Sequence, residues 1–393
     1  MKIAFIGQKG IPAKSGGIET HVDFLSRGLA NLGHDTFVYT RPWYTDKNLA
    51  EYQGVKLISL STIKTKHLDA IVHSFLASFH AIFQKFEIIH YHGVGPALCA
   101  WIPRLFKPSI KVIVTFHCID RKHQKWGRIA RFALRLGEWF AVAFAHKTIT
   151  VSKTLQNYCE EVYDTETIYI PNGVEGQCLV SPNLIKEKFG LKKGSYILFL
   201  SRLVRHKGAH LLIEAYKNLY NKGSLVRQDG FGMTNKSALA MTSAPKLVIA
   251  GGSAFTDDYV KELKDLAGDD DNIVFTDVQA GSDLWRELYS NAACFVLPSM
   301  SEGLPIVVLE AMSFGAPILA SDIPENKEIV GNDKYGLLFK NKSLADLQDK
   351  LNVLLSDPDA AHDKAAAASE LVRREYNWDD IVRKVDKVYA IKK

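Results

Sequence analysis

The feature that most constrains the fold is a twofold series in which short apolar strands alternate with helices. The first series starts at "KIAFIG" (2–7) and runs to "KTITVS" (147–152). The second starts at "YILFLSR" (196–202) and ends in a helix near 343–355. Strands that alternate with helices in this way predict a doubly wound α/β domain with a parallel sheet. The sequence therefore predicts two such domains.

The length of the chain agrees with two domains, because 393 residues exceed one ordinary hydrophobic core. We place the domains at 1–175 and 176–375, and "IPNGVEGQCLVSP" (170–182) forms the connection between them. The final segment, 376–393, is predicted as a helix that either closes the second domain or packs back on the first. Residues 222–244 read as a polar surface insertion. Two parallel-sheet domains leave a cleft between the carboxyl ends of their sheets, where ligands bind.

Charge is unevenly distributed along the chain. Residues 1–153 hold 21 Lys and Arg against 9 Asp and Glu, whereas the remainder holds 28 against 34. The basic half is where we expect an anionic partner. The start of the chain lacks the apolar core of a signal peptide, and no run of about 18 apolar residues predicts a transmembrane helix. Five scattered cysteines predict reduced thiols in a reducing compartment.

The stretch "SEGLPIVVLE" (301–310) combines two carboxylates with a turn. We predict that a helix starts at Pro305 and that Gly303 lets backbone approach a ligand, so that amides from Leu304 onward hold a diphosphate. Glu302 would then lie beside the group on the phosphate, and Glu310 would accept hydrogen bonds from a ribose diol. This spacing suits a nucleotide-sugar. The alternative is that Glu302 caps a helix and Glu310 faces solvent.

The loop "LSRLVRHKG" (200–208) follows the first strand of the second series. Two cations at the carboxyl end of a sheet, Arg202 and Lys207, can neutralise a leaving diphosphate without a metal. The alternative is a solvated basic turn.

Two features of the first domain are candidate ligand contacts. In "GQKGIPAKSGGIE" (7–19) a strand feeds a glycine-rich loop, and Gly16 and Gly17 open the next helix, so the loop can lie against phosphates. The loop lacks the G-x-G-x-x-G pattern, which disfavours a dinucleotide-dependent oxidoreductase. His117 ends "KVIVTFH" and can touch a sugar hydroxyl, and His92 has a weaker claim. A purely structural histidine is the alternative.

The stretch "GDDDN" (268–272) contains a D-x-D pattern that could bind a metal. It precedes a strand, away from the carboxyl ends of the sheet, and fits a solvated turn better. We therefore predict that no metal and no cofactor is required.

Taken together, these motifs resemble those of glycosyltransferase family 4, and the resemblance covers nearly the whole chain. The matching stretches are "EGLPIVVLE" (302–310), "SRLVRHKG" (201–208), "IPNGV" (170–174) and the final "YNWDDIVRKVDKVY" (376–389). The loop "GIPAKSGGIET" (10–20) further resembles a bacterial subgroup labelled rhamnosyltransferases of surface-polysaccharide assembly.

The resemblance implies a GT-B fold, in which two Rossmann-like domains face each other across a cleft. It implies an acceptor-side first domain, a nucleotide-sugar-binding second domain and a last helix that crosses back to the first. The activity would be metal-independent sugar transfer with retention at the anomeric carbon, from a nucleoside-diphosphate sugar to a saccharide or lipid-linked acceptor. The product would serve cell-surface polysaccharide or glycoconjugate synthesis.

The resemblance also assigns roles to individual residues. Arg202 and Lys207 would bind the donor diphosphate and Glu310 the ribose, while Glu302 and the amides of Gly303, Leu304 and Pro305 would hold the transferred sugar. His117 would contact that sugar, and Gly16 and Gly17 would line the phosphates. The loop at Val278 would lie beside the base, although Asp277 occupies a place where the family usually has glycine.

Residues 121–147 form a basic amphipathic stretch. Lys125, Arg128, Arg131 and Arg135 recur at near-helical spacing, and apolar residues such as Phe132 occupy other faces. Such a helix can rest on an anionic membrane, which would make the protein cytoplasmic and peripheral at the inner face of the cell membrane. The alternative is an ordinary solvated basic face. The stretch lacks aromatic and basic residues interleaved over a sheet, so nucleic acid is not an expected partner.

Two other functions fit the same architecture. A nucleotide-sugar epimerase would need a residue poised for proton abstraction and would use no acceptor. A non-catalytic nucleotide-sugar-binding protein would have no chemical need to keep Arg202, Lys207, Glu302 and Glu310 together.

Overall fold

The computed structural model describes residues 1–14, 16–65, 68–122, 126–220 and 244–392. The predicted insertion, 222–244, lies outside the described residues except for its last position. The chain forms two compact units: Met1–Gly173 together with Tyr376–Lys393, and Val174–Glu375. No helix among the described residues is long and apolar enough to cross a membrane. All five cysteines are free thiols.

Unit 1 is built on an eight-stranded sheet in the order β3-β4-β2-β1-β5-β6-β7-β8. Every neighbouring pair is parallel except the short hairpin β3–β4. The strands are β1 (Lys2–Ile6), β2 (Asp35–Thr40), β3 (Glu51–Tyr52), β4 (Val55–Ser59), β5 (Ile88–His92), β6 (Lys111–Phe116), β7 (Lys147–Thr150) and β8 (Ile168–Tyr169). The helices are α1 (Gly17–Asn31), α2 (Asp69–Ile82), α3 (Val94–Ala97), α4 (Trp101–Phe106), α5 (Arg128–Ala143), α6 (Lys153–Tyr163) and, from the end of the chain, α15 (Trp378–Ala390).

Unit 2 has a six-stranded, fully parallel sheet in the order β11-β10-β9-β12-β13-β14. Its strands are β9 (Tyr196–Leu200), β10 (Lys246–Ala250), β11 (Ile273–Thr276), β12 (Cys294–Leu297), β13 (Ile318–Ser321) and β14 (Leu337–Phe339). Its helices are α7 (Leu184–Phe189), α8 (Ala209–Tyr220), α9 (Asp257–Ala267), α10 (Asp283–Asn291), α11 (Ile306–Ser313), α12 (Pro324–Val330), α13 (Leu344–Ser356) and α14 (Pro358–Glu375). The prediction of two doubly wound parallel-sheet domains is confirmed.

Both sheets reverse their winding direction next to their first strand. In unit 1 the chain winds outward from β1 through β2 and returns to place β5 on the other side of β1. In unit 2 it winds from β9 through β10 and β11 and returns to place β12 beside β9. Loops that leave two such strands diverge to opposite faces, and the crevice between them is where doubly wound sheets bind ligands. Each unit therefore has one favoured ligand position.

Helix α15 belongs to the core of unit 1, although it follows all of unit 2 in the sequence. Its Trp378 ring stacks on Phe24 of α1 with centroids 5.3 Å apart. Gly28 of α1 lets Val382 approach so closely that a Cβ at Gly28 would lie 2.4 Å from it. The buried ammonium of Lys111 donates to the carbonyls of Val388 and Tyr389, at 2.8 and 3.0 Å, where it neutralises the negative end of the helix.

Helix α11 starts one residue later than predicted. Pro305 is its N-cap, with ψ at 103°, and not its first helical residue. The extended ψ turns the Pro305 carbonyl into the helix, where it accepts hydrogen bonds from the amides of Val308 and Leu309. Proline suits this place because it has no N–H that would need a partner there.

Gly208, at the start of α8, provides a test of how tightly the unit 2 loops must pack. Its φ is +77°, and an added Cβ would lie 2.0 Å from the carbonyl oxygen of Pro298. We expect Gly208→Ala to lower the free energy of unfolding by more than the ~1 kcal/mol of left-handed strain alone. The measurement is denaturant unfolding monitored by circular dichroism.

The matched control is Gly190→Ala. Gly190 also has a left-handed φ, +65°, but nothing lies within 4 Å of the position of an added Cβ. Equal destabilisation in the two variants would show that the approach of Gly208 to Pro298 contributes nothing.

Candidate functional site

The centre of the unit 2 site is a buried ion pair. The Lys207 ammonium donates to both carboxylate oxygens of Glu302, each at 2.7 Å. Both residues are buried. The alternative of a solvated basic turn for Lys207 is therefore wrong. The N-cap of α11 is Pro305 and not Glu302. Arg205, two residues before Lys207, is the exposed cation of this loop and pairs with Glu262 at the surface.

The pair forms because its two loops leave adjacent parallel strands. Lys207 ends a 3-10 turn (Arg205–Lys207) in the loop after β9, and Glu302 lies in the loop after β12. The two loops are joined by the Met300 amide, which donates to the His206 carbonyl at 2.7 Å. This is the crevice where the winding of the sheet reverses.

Arg202 lies in the same loop, directly after β9, and is half-buried. Within the ranges that the structure describes, no carboxylate lies within ion-pair distance of its guanidinium. An unpaired guanidinium beside the crevice can bind an anion through two parallel hydrogen bonds.

Glu310 lies in the second turn of α11 and is 7% exposed, so the alternative in which it faces solvent is wrong. Burial raises the pKa of this carboxyl to about 7. The Tyr289 hydroxyl donates a hydrogen bond of 3.0 Å to Oε2, and this bond acts in the opposite direction by lowering the pKa. Tyr289 is in turn fixed by stacking on Phe314, with centroids 5.5 Å apart. The carboxyl is therefore poised between its acid and its carboxylate near neutral pH.

The other unit 2 residues that are predicted to bind the nucleotide-sugar lie in the loops after β12 and β11. Gly303, Leu304 and Pro305 are buried between Glu302 and the start of α11. The first amides of a helix have no partner four residues earlier within the helix, and here the Val308 amide bonds to the Pro305 carbonyl instead. Val278 is half-buried in the loop after β11, the edge strand of the sheet, and Asp277 beside it is exposed. The role of Val278 at the base stays a prediction.

In unit 1, Gly16 and Gly17 lie where α1 begins. Gly16 has a φ of +106°, and an added Cβ would lie 2.1 Å from Oε2 of Glu19, whose side chain folds back over the helix start. Oε1 of the same carboxylate accepts a hydrogen bond from the Lys9 amide at 3.2 Å. A carboxylate therefore already lies at this helix end, and the contact of Gly16 and Gly17 with phosphates stays a prediction.

His117 belongs to a cluster of four buried imidazoles. Nε2 of His117 lies 3.1 Å from Nδ1 of His92, and the rings of His90 and His92 have centroids 4.2 Å apart. His21 of α1 meets His117 edge to face at 4.8 Å. His117 and His92 are candidates from the sequence, whereas His21 and His90 become apparent only in the structure. The pattern "HYH" in β5 places His90 on the same sheet face as His92 and could have indicated it.

The cluster is uncharged at neutral pH and is oriented by its neighbours. Burial lowers the pKa of His21 to about 4, and it lowers the pKa of His90, His92 and His117 well below the usual 6.5. Nδ1 of His21 lies 3.0 Å from Oδ1 of Asn172, and Nδ1 of His90 lies 2.7 Å from the Tyr389 hydroxyl of α15. A neutral imidazole such as His117 can exchange hydrogen bonds with a hydroxyl without adding charge.

The same cluster is the group of residues closest to a metal-binding geometry in the described chain. Ligand nitrogens of His21, His92 and His117 lie within 4.8 Å of one another. In "GDDDN", by contrast, Oδ1 of Asp270 accepts hydrogen bonds from the amide and side chain of Asn272, each at 3.0 Å. Oδ1 thereby closes the turn before β11, whereas Oδ2 of Asp270 is buried and has no hydrogen-bond partner among the described residues. The solvated-turn interpretation stays a prediction.

Comparison with known proteins agrees with this geometry. The family model "Glycosyltransferase Family 4" matches residues 15–176, and "Glycosyl transferases group 1" matches residues 182–371. A relative in Mycobacterium tuberculosis, a GDP-mannose-dependent alpha-(1-6)-phosphatidylinositol monomannoside mannosyltransferase, is 26% identical over 401 residues, covering 95% of this chain and 94% of the relative.

Solved structures give the same fold. Sucrose-phosphate synthase from Thermosynechococcus elongatus has a TM-score of 0.80 at 21% identity and covers 99% of this chain and 98% of that one. Anabaena HepE in complex with UDP-glucose has a TM-score of 0.78 at 18% identity and covers 99% of both chains. The fold is GT-B. The chain belongs to the family 4 glycosyltransferases.

Glu310 generates a prediction about pH. If only the carboxylate accepts hydrogen bonds from a ribose, affinity for a nucleotide-sugar should fall about tenfold per pH unit below the pKa of about 7. Calorimetric titration with a nucleotide-sugar measures this, because the diphosphate diester of such a probe does not itself titrate near pH 7.

Two variants at this position make the test specific. Glu310→Gln should bind weakly and show no pH dependence between 6 and 8. Tyr289→Phe removes the hydrogen bond that lowers the pKa of Glu310, so the loss of affinity should begin at higher pH. A pH dependence in Glu310→Gln as steep as that of the native protein would contradict the assignment.

Proposed function

We propose that this glycosyltransferase moves a sugar from a nucleoside-diphosphate sugar to a hydroxyl of a saccharide or lipid-linked acceptor, with retention at the anomeric carbon. The observation that carries the proposal is the buried Lys207–Glu302 pair where the unit 2 sheet reverses, next to Arg202 and the start of α11. Positive groups meet there with a carboxylate, which matches a ligand that carries both phosphates and hydroxyls.

The proposed reaction breaks the bond between the anomeric carbon and the diphosphate oxygen and forms one to the acceptor oxygen. The leaving phosphate takes the proton of the acceptor hydroxyl, and the nucleoside diphosphate departs. Arg202, Lys207 and the α11 amides stabilise the charge that develops on the leaving group. Front-face attack of this kind gives retention and needs no strongly nucleophilic side chain.

Each part of the nucleotide-sugar has a proposed contact in unit 2. The diphosphate binds Arg202 and Lys207, the ribose binds Glu310, and the sugar binds Glu302 and the backbone of Gly303–Pro305. Lys207 can serve the diphosphate while it stays beside Glu302, because an ammonium has three donor hydrogens and Glu302 accepts two of them. We propose that no metal is needed, since these cations supply the positive charge. His117, which is neutral and buried, is proposed to contact a sugar hydroxyl.

Relatives support the donor and acceptor classes. One is named for GDP-mannose and a phosphatidylinositol glycolipid, and a solved structure of the same fold holds UDP-glucose. We propose a role in cell-surface polysaccharide or glycoconjugate synthesis at the cytoplasmic side of the membrane. Transfer of rhamnose stays a prediction from the "GIPAKSGGIET" loop.

The direct test has two stages. A thermal-shift panel of UDP, GDP, dTDP and ADP should show one nucleotide that raises the midpoint more than the others, because only binding to the folded state stabilises it. Sugars carried by that nucleotide are then incubated with saccharide and lipid-linked acceptors in EDTA. We expect a glycoside with the donor's anomeric configuration, read by NMR coupling constants.

Other outcomes of this experiment decide against parts of the proposal. An epimerised nucleotide-sugar formed without acceptor would favour the epimerase. Nucleotide binding without any turnover would favour a non-catalytic binding protein. Transfer that stops in EDTA and returns with Mg²⁺ or Mn²⁺ would overturn the metal-free proposal, and an inverted product would overturn retention.

The two cations give a sharper prediction about catalysis. Arg202→Ala and Lys207→Ala should each lower kcat by about 10²–10³, the usual cost of removing one donor that stabilises transition-state charge. Because Lys207→Ala also leaves Glu302 buried without its partner, its folding is checked by its thermal midpoint. Arg202 has no such partner among the described residues, so Arg202→Ala tests the idea independently of that buried pair.

The matched control is Arg205→Ala. Arg205 lies in the same loop but points to the surface, where it pairs with Glu262. Its removal should leave kcat unchanged, since exposed ion pairs contribute little. Full activity in Arg202→Ala or Lys207→Ala, or an equal loss in Arg205→Ala, would refute the assignment.

A further inference from the structure

Helix α5 of unit 1 exposes a stripe of large apolar side chains. Ile129 is 87% exposed, Phe132 65% and Trp139 48%. Leu136 is also exposed, and the four residues follow one another at intervals of three and four. That spacing places them on one side of the helix. The buried side of α5 is formed by Gly137, Glu138 and Ala141, so the apolar stripe faces away from the unit.

An arginine stripe runs beside the apolar one. Arg128, Arg131 and Arg135 are exposed and also follow at intervals of three and four. The one acid of this helix, Glu138, is buried and held by Arg121 and two tyrosine hydroxyls. The outer half of α5 therefore carries guanidinium groups and apolar side chains and no negative charge.

The same face of the sheet exposes further apolar groups on neighbouring helices. Phe83 at the end of α2 is 81% exposed, and Leu105 and Phe106 of α4 are exposed as well. Helix α2 packs on α3 and α4, and α3 packs on α5. The strands β4, β5, β6 and β7 step in one direction across the sheet, so right-handed crossovers place their helices in one layer.

This layer is also strongly basic. Among the described residues it exposes Arg128, Arg131 and Arg135 on α5, and Glu87, just before β5, is an exposed acid near the end of α2. Asp69 and Glu138 are buried and paired with Arg41 and Arg121, so they do not offset the charge at the surface. Lys85 and Lys107 add two exposed cations beside Phe83 and Phe106.

We propose that this face, defined by the outer sides of α2, α4 and α5, docks on a membrane that contains anionic phospholipids. The apolar side chains would enter the boundary between headgroups and acyl chains, and the arginines would bind lipid phosphates. Apolar and cationic stripes side by side complement that surface, whereas a nucleic acid would leave the apolar stripe without a partner. The inference goes beyond sugar transfer, because docking requires neither donor nor acceptor.

The test is flotation of the full chain with vesicles in a sucrose gradient, without any sugar nucleotide. Vesicles rich in phosphatidylglycerol should carry the protein upward at low salt, and vesicles of phosphatidylcholine alone should carry much less. Replacing Arg128, Arg131 and Arg135 by Gln should weaken partition by about a hundredfold, as expected for three cations near an anionic surface. Ile129→Ser with Phe132→Ser should weaken it by at least about tenfold.

Matched controls distinguish binding through this face from binding that any exposed cation or apolar side chain would give. Arg373→Gln, Arg374→Gln and Arg383→Gln together remove the same charge from exposed positions of α14 and α15. Leu179→Ser with Phe255→Ser removes two exposed apolar side chains from unit 2. Both control sets should bind vesicles like the native protein, and all variants should keep its thermal midpoint.

Three results would overturn the proposal. The first is no flotation of the native protein with phosphatidylglycerol vesicles at low salt. The second is an equal loss of binding in the control sets. The third is concentration-dependent dimerisation in sedimentation velocity that Ile129→Ser with Phe132→Ser abolishes, which would assign the face to a second copy of this chain. None of these results depends on which sugar the enzyme transfers.

Discussion

The buried pair of Lys207 and Glu302 is the interaction on which the candidate site of unit 2 depends. Two charges removed from water cost several kcal/mol each unless they meet in good geometry, and here one ammonium contacts both carboxylate oxygens. That geometry requires β9 and β12 to be neighbours, their loops to be joined through Met300 and His206, and a residue without Cβ at position 208. The site therefore depends both on the strand order of the sheet and on a glycine with a left-handed backbone conformation at position 208. A loop of different length on either strand would leave a buried charge without its partner.

The two units use the same sheet topology for different chemistry. In both, winding reverses beside the first strand, which brings one early loop next to one late loop. Unit 2 fills that position with cations and carboxylates. Unit 1 has Glu19 folded over the start of α1 and neutral imidazoles at the ends of β5 and β6. A crevice that contains cations suits a phosphate-bearing ligand, and neutral imidazoles suit hydroxyls. Helix α15 supports the second arrangement directly, because Tyr389 contacts His90 and Trp378 meets His21 edge to face at 5.3 Å.

Much of the fold could be predicted because strands buried on both faces are continuous apolar runs that end at glycines or polar residues. The predicted strands 2–7 and 196–202 contain β1 and β9, and the helix predicted near 343–355 coincides with α13. The missed strands β3, β8 and β14 are two or three residues long and leave no pattern of their own. Helix α14, "PDAAHDKAAAASELVRRE", was not predicted, because alanine favours helix through backbone propensity and produces no strong apolar periodicity. Pro305 was placed one position too far into α11, since proline fits both the cap and the first helical position and only the backbone conformation distinguishes them.

By itself the sequence determined the class of fold and the basic character of residues 121–147. It also determined the candidate residues Arg202, Lys207, Glu302, Glu310 and His117. Each of these can be recognised from residues that are close to one another in the sequence. Only the tertiary structure decided that Lys207 and Glu302 are partners 95 positions apart, that Glu310 is buried enough to raise its pKa to about 7, and that His21 and His90 join His117. It also decided that the apolar stripe of α5 faces outward beside its arginines. The physical reason is that burial and pairing depend on which strands become neighbours, and neighbouring strands in a doubly wound sheet are distant in sequence.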